Sequence, residues 1–258
     1  MSVLATEGVS LTLGGKAVLQ SINAAFASGR VTALLGPNGA GKSSLLACLA
    51  GLHVSASGRA SLNGTDVRTL SAQERARRIG FLPQAADVHW NIDVATLVAL
   101  GRLPWRGRWG ETAEDRAAVD AALAATGMTA FVRRGVEHLS GGERARALLA
   151  RVLAGQPEWL LADEPLASLD PAHQLEVGAQ LRAVAAGGSG VVLVVHDLNL
   201  AARLADDVVL LRDGRVVAAG AADEVLTAAL VGETYGLTVE TGITATGQRY
   251  IVPIGRPG

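Results

Sequence analysis

The stretch that most constrains the fold of this 258-residue chain covers residues 36–44. An apolar run at residues 31–35 precedes it, and a second apolar run at residues 45–50 follows it. The stretch fits the phosphate-binding pattern G-x-x-x-x-G-K-[ST], which requires a strand before it and a helix after it. Its residues are Gly36, Pro37, Asn38, Gly39, Ala40, Gly41, Lys42, Ser43 and Ser44. The order of strand, glycine-rich loop and helix predicts an α/β fold with a nucleotide-phosphate site.

The residue types in this loop suit phosphate chemistry. Glycines allow a tight turn that brings backbone N–H groups against anionic oxygens. The following helix presents its positive end to the same oxygens. Lys42 supplies a charge for the β- and γ-phosphates, and the Ser43 hydroxyl is a suitable ligand for Mg²⁺.

The composition of the chain limits its fold class, its partners and its disulfide bonds. With 49% hydrophobic but only 3% aromatic residues, the sequence predicts one large α/β domain whose core is mainly Leu, Val and Ala. The formal net charge of −1 gives no electrostatic reason to expect nucleic acid as a partner. The single cysteine, Cys48, excludes an intrachain disulfide and is expected to be a small buried side chain.

Nothing in the sequence predicts a segment that crosses a membrane. No N-terminal signal pattern is present, and no apolar run approaches the roughly 18 residues that a spanning helix needs. The longest apolar runs, such as residues 191–195, have the length of strands. We therefore expect a cytoplasmic chain, with any membrane-spanning part supplied by a separate polypeptide.

Hydrophobic periodicity divides the chain into regions. Residues 3–35 and 58–64 predict an antiparallel β region with a turn at Gly14 and Gly15. Residues from about 85 to 150 predict an inserted helical subdomain, interrupted at 101–110. From about residue 233 to 258 a short tail with strand-like ends is expected. The whole chain, 1–258, is interpreted as one domain.

Two acids and a histidine follow apolar strands. Asp163 and Glu164 end the run at 160–162, and His196 ends the run at 191–195. The carboxyl ends of parallel strands lie beside the phosphate loop, where ligands bind. Asp163 is therefore predicted to hold Mg²⁺, and Glu164 to orient or deprotonate an attacking water. A neutral His196 could contact the γ-phosphate and this water.

A second anion-binding feature is predicted at the sequence Leu-Ser-Gly-Gly-Glu. Ser140 can cap the helix that begins there, and Gly141 and Gly142 expose backbone N–H groups at its N-terminus. By itself this is only a capping signal. Its position shortly before the Asp163 strand makes the pattern much more specific.

At this point the sequence resembles the ATP-binding subunits of ABC transporters over nearly its whole length. Six elements occur in the order typical of that family. They are the Walker A loop at 36–43, the Q-loop glutamine Gln84, the signature at 139–143, the Walker B acids Asp163 and Glu164, the D-loop at 168–170, and the switch histidine His196.

The resemblance implies a P-loop NTPase of the ABC ATPase type. Its fold has a core with a mainly parallel sheet, an antiparallel β subdomain and an inserted helical subdomain. ATP and Mg²⁺ are the implied cofactors, with Ser43, Gln84 and Asp163 as implied metal ligands. Glu164, His196 and Lys42 are the implied catalytic residues. The implied nucleotide contacts are residues 36–44 together with Ser140, Gly141, Gly142 and Asp170.

Such subunits form head-to-tail homodimers, which would explain why one chain carries two anion-binding features. Each ATP lies between the Walker A loop of one subunit and the signature of the other. Two positions depart from the family pattern. Glu143 replaces the usual glutamine, a change expected to be tolerated. Leu13 replaces the aromatic residue that usually stacks on adenine, which predicts weaker selectivity for that base.

A narrower resemblance concerns residues 98–105 and 169–175, which are similar to ATPases of importers for iron-siderophores, haem and vitamin B12. It implies two integral-membrane permease subunits as partners, and a periplasmic or surface substrate-binding protein that acts through them. The ATPase would be peripheral on the inner face of the membrane. Gln84 and residues 85–110 are the implied permease-facing surface, although Trp105 and Trp109 could instead pack within the helical lobe.

Other interpretations stay open at this stage. A non-transport ABC ATPase of assembly or repair, or an importer ATPase for another substrate, has the same six elements. Against repair, no long heptad insertion separates the two Walker motifs. An exporter would often carry fused membrane helices, and a P-loop kinase would give no reason for residues 139–143.

Overall fold

The structure is a computed structural model that describes residues 2–84, 92–107, 110–167 and 169–256. Twelve strands are present among these residues. They are β1 (Val3–Leu13), β2 (Lys16–Ala27), β3 (Val31–Leu35), β4 (Ser57–Leu62), β5 (Thr65–Asp66), β6 (Ile79–Leu82), β7 (Trp159–Asp163), β8 (Gly190–Val194), β9 (Asp207–Arg212), β10 (Arg215–Ala221), β11 (Thr238–Ile243) and β12 (Arg249–Gly255).

Nine α-helices accompany the strands within the described ranges. They are α1 (Lys42–Leu49), α2 (Ala72–Arg78), α3 (Val94–Ala99), α4 (Ala113–Ala125), α5 (Gly141–Ala154), α6 (Pro171–Ala186), α7 (Leu198–Leu204), α8 (Ala222–Val225) and α9 (Ala228–Tyr235). Short 3₁₀ turns occur at Leu100–Arg102, Thr129–Phe131 and Val136–His138.

A six-stranded sheet in the order β10-β9-β3-β8-β7-β6 forms the centre of the fold. All its pairings are parallel except that of β9 with β10. Val194 of β8 pairs with Leu34 of β3 on one side and with Asp163 of β7 on the other. This register brings the carboxyl ends of three strands side by side, at the edge where parallel sheets bind ligands.

The central strands β3, β7 and β8 are almost entirely apolar because both faces of the sheet are covered. Alternate residues of β7 pack into two different hydrophobic cores. Leu160 and Ala162 belong to the first core, whereas Trp159 and Leu161 belong to the second. The first core contains α3 to α7, and the second contains α1 and the antiparallel sheet. Packing in both cores therefore holds the central strands, and the site at their carboxyl ends, in place.

The antiparallel sheet has the order β2-β1-β4-β5. Its β1–β2 hairpin turns at Gly14 and Gly15, which have φ angles of 55° and 80°. Phe26, Leu4 and Leu62 are fully buried and pack with α1 against the central sheet. This packing holds α1, and hence the loop before it, from the side opposite to the helical region.

The helical region between β6 and β7 contains α3, α4 and α5. Each helix has a side-chain N-cap, supplied by Asp93, Thr112 and Ser140. A buried ion pair joins the region internally, since Arg102 Nε donates to Asp115 Oδ1 at 2.8 Å. The Arg102 hydrogen bond holds the pKa of Asp115 well below its usual value, at about 2.

Trp105 contacts both α2 and the helical region, and part of its ring stays exposed. The guanidinium groups of Arg77 and Arg102 lie over its ring, 4.9 and 5.0 Å from the ring centroid. Its Nε1 donates to the Gly155 carbonyl at 2.9 Å. Leu103, two residues earlier, is 54% exposed. Trp105 itself is 39% exposed, so both side chains reach the surface and Leu103 is the more exposed of the two. Trp109 lies outside the described residues.

The C-terminal segment adds α8, α9 and the β11–β12 hairpin. The predicted tail begins near residue 233, whereas α9 continues to Tyr235 and ends at Gly236, which has a φ of 66°. The hairpin packs on α7, where Asn199 exchanges two hydrogen bonds with the Ile251 backbone. The segment is therefore tied to the core.

The fold class predicted from the sequence is confirmed. The structure combines a mainly parallel core sheet, an antiparallel sheet and a helical region between β6 and β7. Over the described residues, none of the helices has the length and apolar character to cross a bilayer.

Candidate functional site: a phosphate loop at the carboxyl edge of the sheet

The loop between β3 and α1 depends on two glycines. Gly36 has a φ of 147°, and a Cβ atom on it would lie 2.0 Å from the Leu211 carbonyl oxygen. Gly41 has a φ of 99°, and its Cβ would lie 2.9 Å from the Val18 carbonyl oxygen. Both residues thus combine an unusual backbone angle with close contact to a neighbouring strand, which only glycine permits.

Lys42 begins α1 and folds back over the loop. Its Nζ donates to the Gly36 carbonyl at 2.7 Å and to the Pro37 carbonyl at 3.0 Å. Burial lowers the pKa of Lys42, while the carboxylates of Glu164 and Asp163 act in the opposite direction. The ammonium group is therefore held inside the loop, where it can meet a phosphate.

Asp163 ends β7 next to the loop. Its Oδ1 is buried without a hydrogen-bond partner among the described residues, and the Ser43 hydroxyl acts on its carboxylate. Burial raises the pKa of Asp163, and the Ser43 hydrogen bond opposes that rise. A buried carboxylate oxygen that lacks a donor, beside a hydroxyl, fits the oxygen ligands that Mg²⁺ prefers.

Glu164 follows Asp163 with a φ of 52°, a left-handed conformation that is uncommon for a side-chain-bearing residue. Its N–H donates to the Val194 carbonyl at 3.1 Å, which pins the strained residue to β8. His196 Nε2 lies 2.5 Å from Glu164 Oε1. This contact joins the two side chains directly. Strain of this kind is concentrated at functional sites.

These elements surround one cavity of about 510 Å³. The predicted site residues along its wall are Asn38, Gly39, Gly41, Lys42, Ser43, Ser44, Gln84, Glu164 and His196. The fold thus brings the phosphate loop, the Q-loop glutamine, the Walker B glutamate and the switch histidine to one space. Such an arrangement can hold a polyphosphate and present a carboxylate and an imidazole to it.

The signature residues are elsewhere. Ser140, Gly141 and Gly142 are not among the described residues that line the cavity. The Ser140 hydroxyl accepts from the Glu143 N–H at 3.2 Å, and Glu143 Oε2 accepts from the Ser140 N–H at 2.7 Å. This is a complete capping box. Ser140 and Gly141 are exposed, so the N-terminus of α5 faces outwards from the chain.

Asp170 also caps a helix and does not line the cavity within the described part of the chain. Its Oδ1 accepts from the His173 N–H at 3.0 Å, and its Oδ2 lies 2.7 Å from His173 Nδ1. These hydrogen bonds lower the pKa of Asp170. Ser168 of the predicted D-loop lies outside the described residues, as do residues 85–91 after the Q-loop glutamine.

Two residues of the site were not found from the sequence. Val18 of β2 lines the cavity, whereas Leu13, at the expected adenine position, is 40% exposed and is not among the lining residues described. The Tyr235 hydroxyl accepts the Gly36 N–H at 2.9 Å from the far end of the chain. The apolar character of Val18 was visible in the sequence, but no local pattern could reveal the Tyr235 contact.

Comparisons with known proteins agree with this geometry. The ABC transporter family matches residues 19–167. The hemin import ATP-binding protein HmuV of Streptomyces coelicolor is 45% identical over 98% of this chain and 90% of its own length. The cobalamin import ATP-binding protein BtuD of Halobacterium salinarum is 41% identical over 97% of this chain and 63% of its own length.

A solved metal-chelate type ABC transporter in an inward-facing conformation matches the structure with a TM-score of 0.85. The match covers 98% of both chains at 25% sequence identity. The family match extends over more than half of the chain, and it agrees with a fold that carries a phosphate loop, a glutamate and a histidine around one cavity. The chain therefore belongs to the ABC transporter family, as one of its ATP-hydrolysing cassettes.

Proposed function

We propose that this chain hydrolyses ATP to drive import of an iron chelate, haem or cobalamin through a separate membrane permease. The observation that carries the proposal is the single cavity that joins Lys42, Gln84, Glu164 and His196. The hemin and cobalamin import proteins among its relatives support the class of cargo.

The phosphate loop binds the triphosphate of ATP. Lys42 and the backbone N–H groups at the start of α1 face its β- and γ-phosphates. Ser43, Asp163 and Gln84 are the residues that would hold Mg²⁺, and the unpartnered Asp163 Oδ1 supports this assignment. When bound, Mg²⁺ neutralises charge that develops on the phosphate oxygens.

Glu164 orients and deprotonates the attacking water. Its position beside His196 supports this role, because the hydrogen bond between them fixes the direction of the carboxylate. His196 contacts the γ-phosphate and senses its presence. The strained backbone of Glu164 keeps the carboxylate at the strand end, where a water in line with the phosphate can reach it.

The chain acts as a homodimer in which each ATP is shared. The N-terminus of α5, with Ser140, Gly141 and Gly142, is exposed and is not among the described residues that line the cavity of the chain's own phosphate loop. Helix N-termini of this kind bind anions. In a twofold dimer the α5 terminus of one copy covers the phosphates held by the other, with Asp170 at the same interface.

A groove between the core and the helical region supports a permease contact. It has a volume of about 430 Å³ and lies between α2, β6 and the segment that carries Leu103 and Pro104. Its apolar walls suit a short helix from a membrane subunit. The ATPase thus sits on the cytoplasmic face of the membrane, and a substrate-binding protein delivers cargo from the other side.

Uptake measurements test the cargo. The chain is reconstituted in vesicles with the permease and binding protein encoded beside its gene, and uptake of hemin, a ferric siderophore and cobalamin is measured with ATP inside. ATP-dependent uptake of one of them supports the proposal. If ATP is hydrolysed but none is taken up, the chain serves another substrate; if no such permease assembles with it, a non-transport ATPase is the better interpretation.

The permease groove is tested with Leu103→Ala, using Leu52→Ala as the control. Both leucines are more than half exposed, so neither substitution should cost much stability. We expect Leu103→Ala to lower uptake several-fold while ATP binding by the isolated chain is unchanged, and Leu52→Ala to leave both unchanged. Equal loss of uptake and ATP binding in Leu103→Ala would instead assign that residue a packing role.

A further inference from the structure

Tyr235 lies against the first glycine of the phosphate loop, although 199 residues separate the two in sequence. The Gly36 N–H donates to the Tyr235 hydroxyl at 2.9 Å. Gly36 is buried, and its close packing on the Leu211 carbonyl leaves no room for a side chain. The hydroxyl of Tyr235 is therefore the acceptor for a backbone donor at a point where the loop has little freedom.

The two peptide groups of Gly36 have different partners. Its N–H is held by Tyr235, and its carbonyl accepts from Lys42 Nζ at 2.7 Å. A buried N–H that loses its acceptor is costly, so the loop would shift to find another partner. Any such shift moves the carbonyl that positions Lys42.

Helix α9 holds the tyrosine in place. Val231 and Thr234 on this helix are 0% and 1% exposed. Arg212 Nη1 donates to the Glu233 carbonyl at 2.5 Å, which fixes the helix end to β9. A hydroxyl carried by a packed helix is a better positioning group than one carried by a loop.

The same C-terminal segment also supports the other side of the site. Asn199 Nδ2 donates to the Ile251 carbonyl at 3.2 Å, and the Ile251 N–H donates back to Asn199 Oδ1 at 2.8 Å. Asn199 lies in the first turn of α7, three residues after His196. Residues 222–256 thus contact the phosphate loop at Gly36 and the helix that follows the switch histidine.

We propose that Tyr235 is a positioning residue of the nucleotide site, through which the C-terminal segment sets the affinity for ATP. Tyr235 is not among the described residues that line the cavity of the phosphate loop, and it acts through Gly36. The proposal rests on the assignment of residues 36–44 as the phosphate site. It adds to that assignment a residue from outside every sequence motif of the chain.

The test removes one hydroxyl at a time. Tyr235→Phe deletes the acceptor of the Gly36 N–H, and Tyr250→Phe is the matched control, because these are the two tyrosines of the chain and both belong to the C-terminal segment. Binding of ATP is measured on the Glu164→Gln background, so that hydrolysis does not consume the ligand. Amide hydrogen exchange across the whole chain is followed without nucleotide, together with thermal unfolding.

Tyr235→Phe is expected to weaken ATP binding roughly two- to tenfold, the range for loss of one hydrogen bond. Exchange should rise in the peptide that contains Gly36 and stay unchanged elsewhere, and Tyr250→Phe should match the parent. A merely structural tyrosine would instead raise exchange throughout the C-terminal segment.

The proposal is overturned if Tyr235→Phe leaves both ATP affinity and Gly36 exchange at the parent values. It is also overturned if the two tyrosine variants weaken binding equally, or if exchange rises across the chain. A parent chain that does not bind ATP would refute the nucleotide-site assignment, whereas the Gly36 exchange measurement still reports on the Tyr235 contact.

Discussion

The two anion-binding features of the chain differ in how complete they are. The phosphate loop is enclosed by β3, β7 and β8, and Lys42 within it is only 6% exposed. The N-terminus of α5 is exposed, and its Ser140 is engaged in a capping box with Glu143. The phosphate loop has a lysine, two carboxylates and a histidine beside it, while the N-terminus of α5 has backbone donors, a hydroxyl and the capping carboxylate of Glu143.

The difference indicates that the two features do different work. A deep, rigid site suits binding and chemistry, because reacting groups must be preorganised around the phosphates. An exposed helix N-terminus suits completion of a site on another molecule. We therefore infer that the core of each chain binds a nucleotide, and that the helical region of each chain covers the nucleotide bound by a second copy.

The largest effect is expected on the enclosed side of this comparison, from Glu164→Gln. The variant keeps the shape of the side chain but loses the base, so hydrolysis should fall about 100-fold or more while ATP still binds. The measurements are steady-state phosphate release and equilibrium ATP binding. Near-normal turnover would show that Glu164 is not the catalytic base, and the phosphate loop would then differ less from the N-terminus of α5.

The second prediction tests whether the exposed feature completes a site on another copy. A linked mixed dimer combines one Lys42→Ala chain with one Ser140→Arg chain, both also carrying Glu164→Gln. If sites are shared, both lesions fall in one site and the other is intact, so about one ATP is trapped per dimer. Either parent homodimer should trap little.

Thermal unfolding of each chain is the control, because Ser140→Arg also removes a helix cap worth about 1 kcal/mol. If each ATP were instead bound entirely within one chain, one site of the mixed dimer would carry Lys42→Ala and the other would carry Ser140→Arg. A mixed dimer that traps no more ATP than its parents would contradict the shared-site model.

The smallest effect is expected at Glu143, which differs from the usual residue of the family. Its side chain accepts the Ser140 N–H, and this hydrogen bond lowers the pKa of Glu143. Glutamine can accept the same bond, so Glu143→Gln should leave hydrolysis nearly unchanged and the unfolding temperature within about 2 °C. Glu143→Ala, whose side chain cannot accept this hydrogen bond, is the comparison. A large loss of hydrolysis or of thermal stability in Glu143→Gln would show that the negative charge of Glu143 is needed at the N-terminus of α5.

Much of this arrangement was predictable because its causes are local. The glycine pattern of residues 36–44 and the acids after an apolar strand each specify a backbone path, and parallel strands bring their carboxyl ends together. The helix from Gly141 to Ala154 follows from its cap and its apolar face. The roles of Glu164, His196 and the metal ligands stay predictions.

The unpredicted features depend on contacts between distant parts of the chain. The Tyr235 contact joins two residues that are 199 positions apart in sequence, and it depends on the packing of α9 against β9. The contact of Trp105 with Arg77 depends on how α2 meets the helical region. The sequence placed the start of the tail near residue 233 because its Thr- and Gly-rich composition hid the last turn of α9.

The buried pair of Arg102 and Asp115 sets an acid limit on the helical region. The pKa of Asp115 is lowered to about 2, whereas an unfolded chain would protonate this carboxyl near its ordinary value. Its stabilising contribution is therefore fully present above the ordinary value and is lost as the pH falls through about 2. In strong acid the helical region, which carries the exposed anion-binding feature, loses this internal support, and Arg102 is left as a buried charge without its partner.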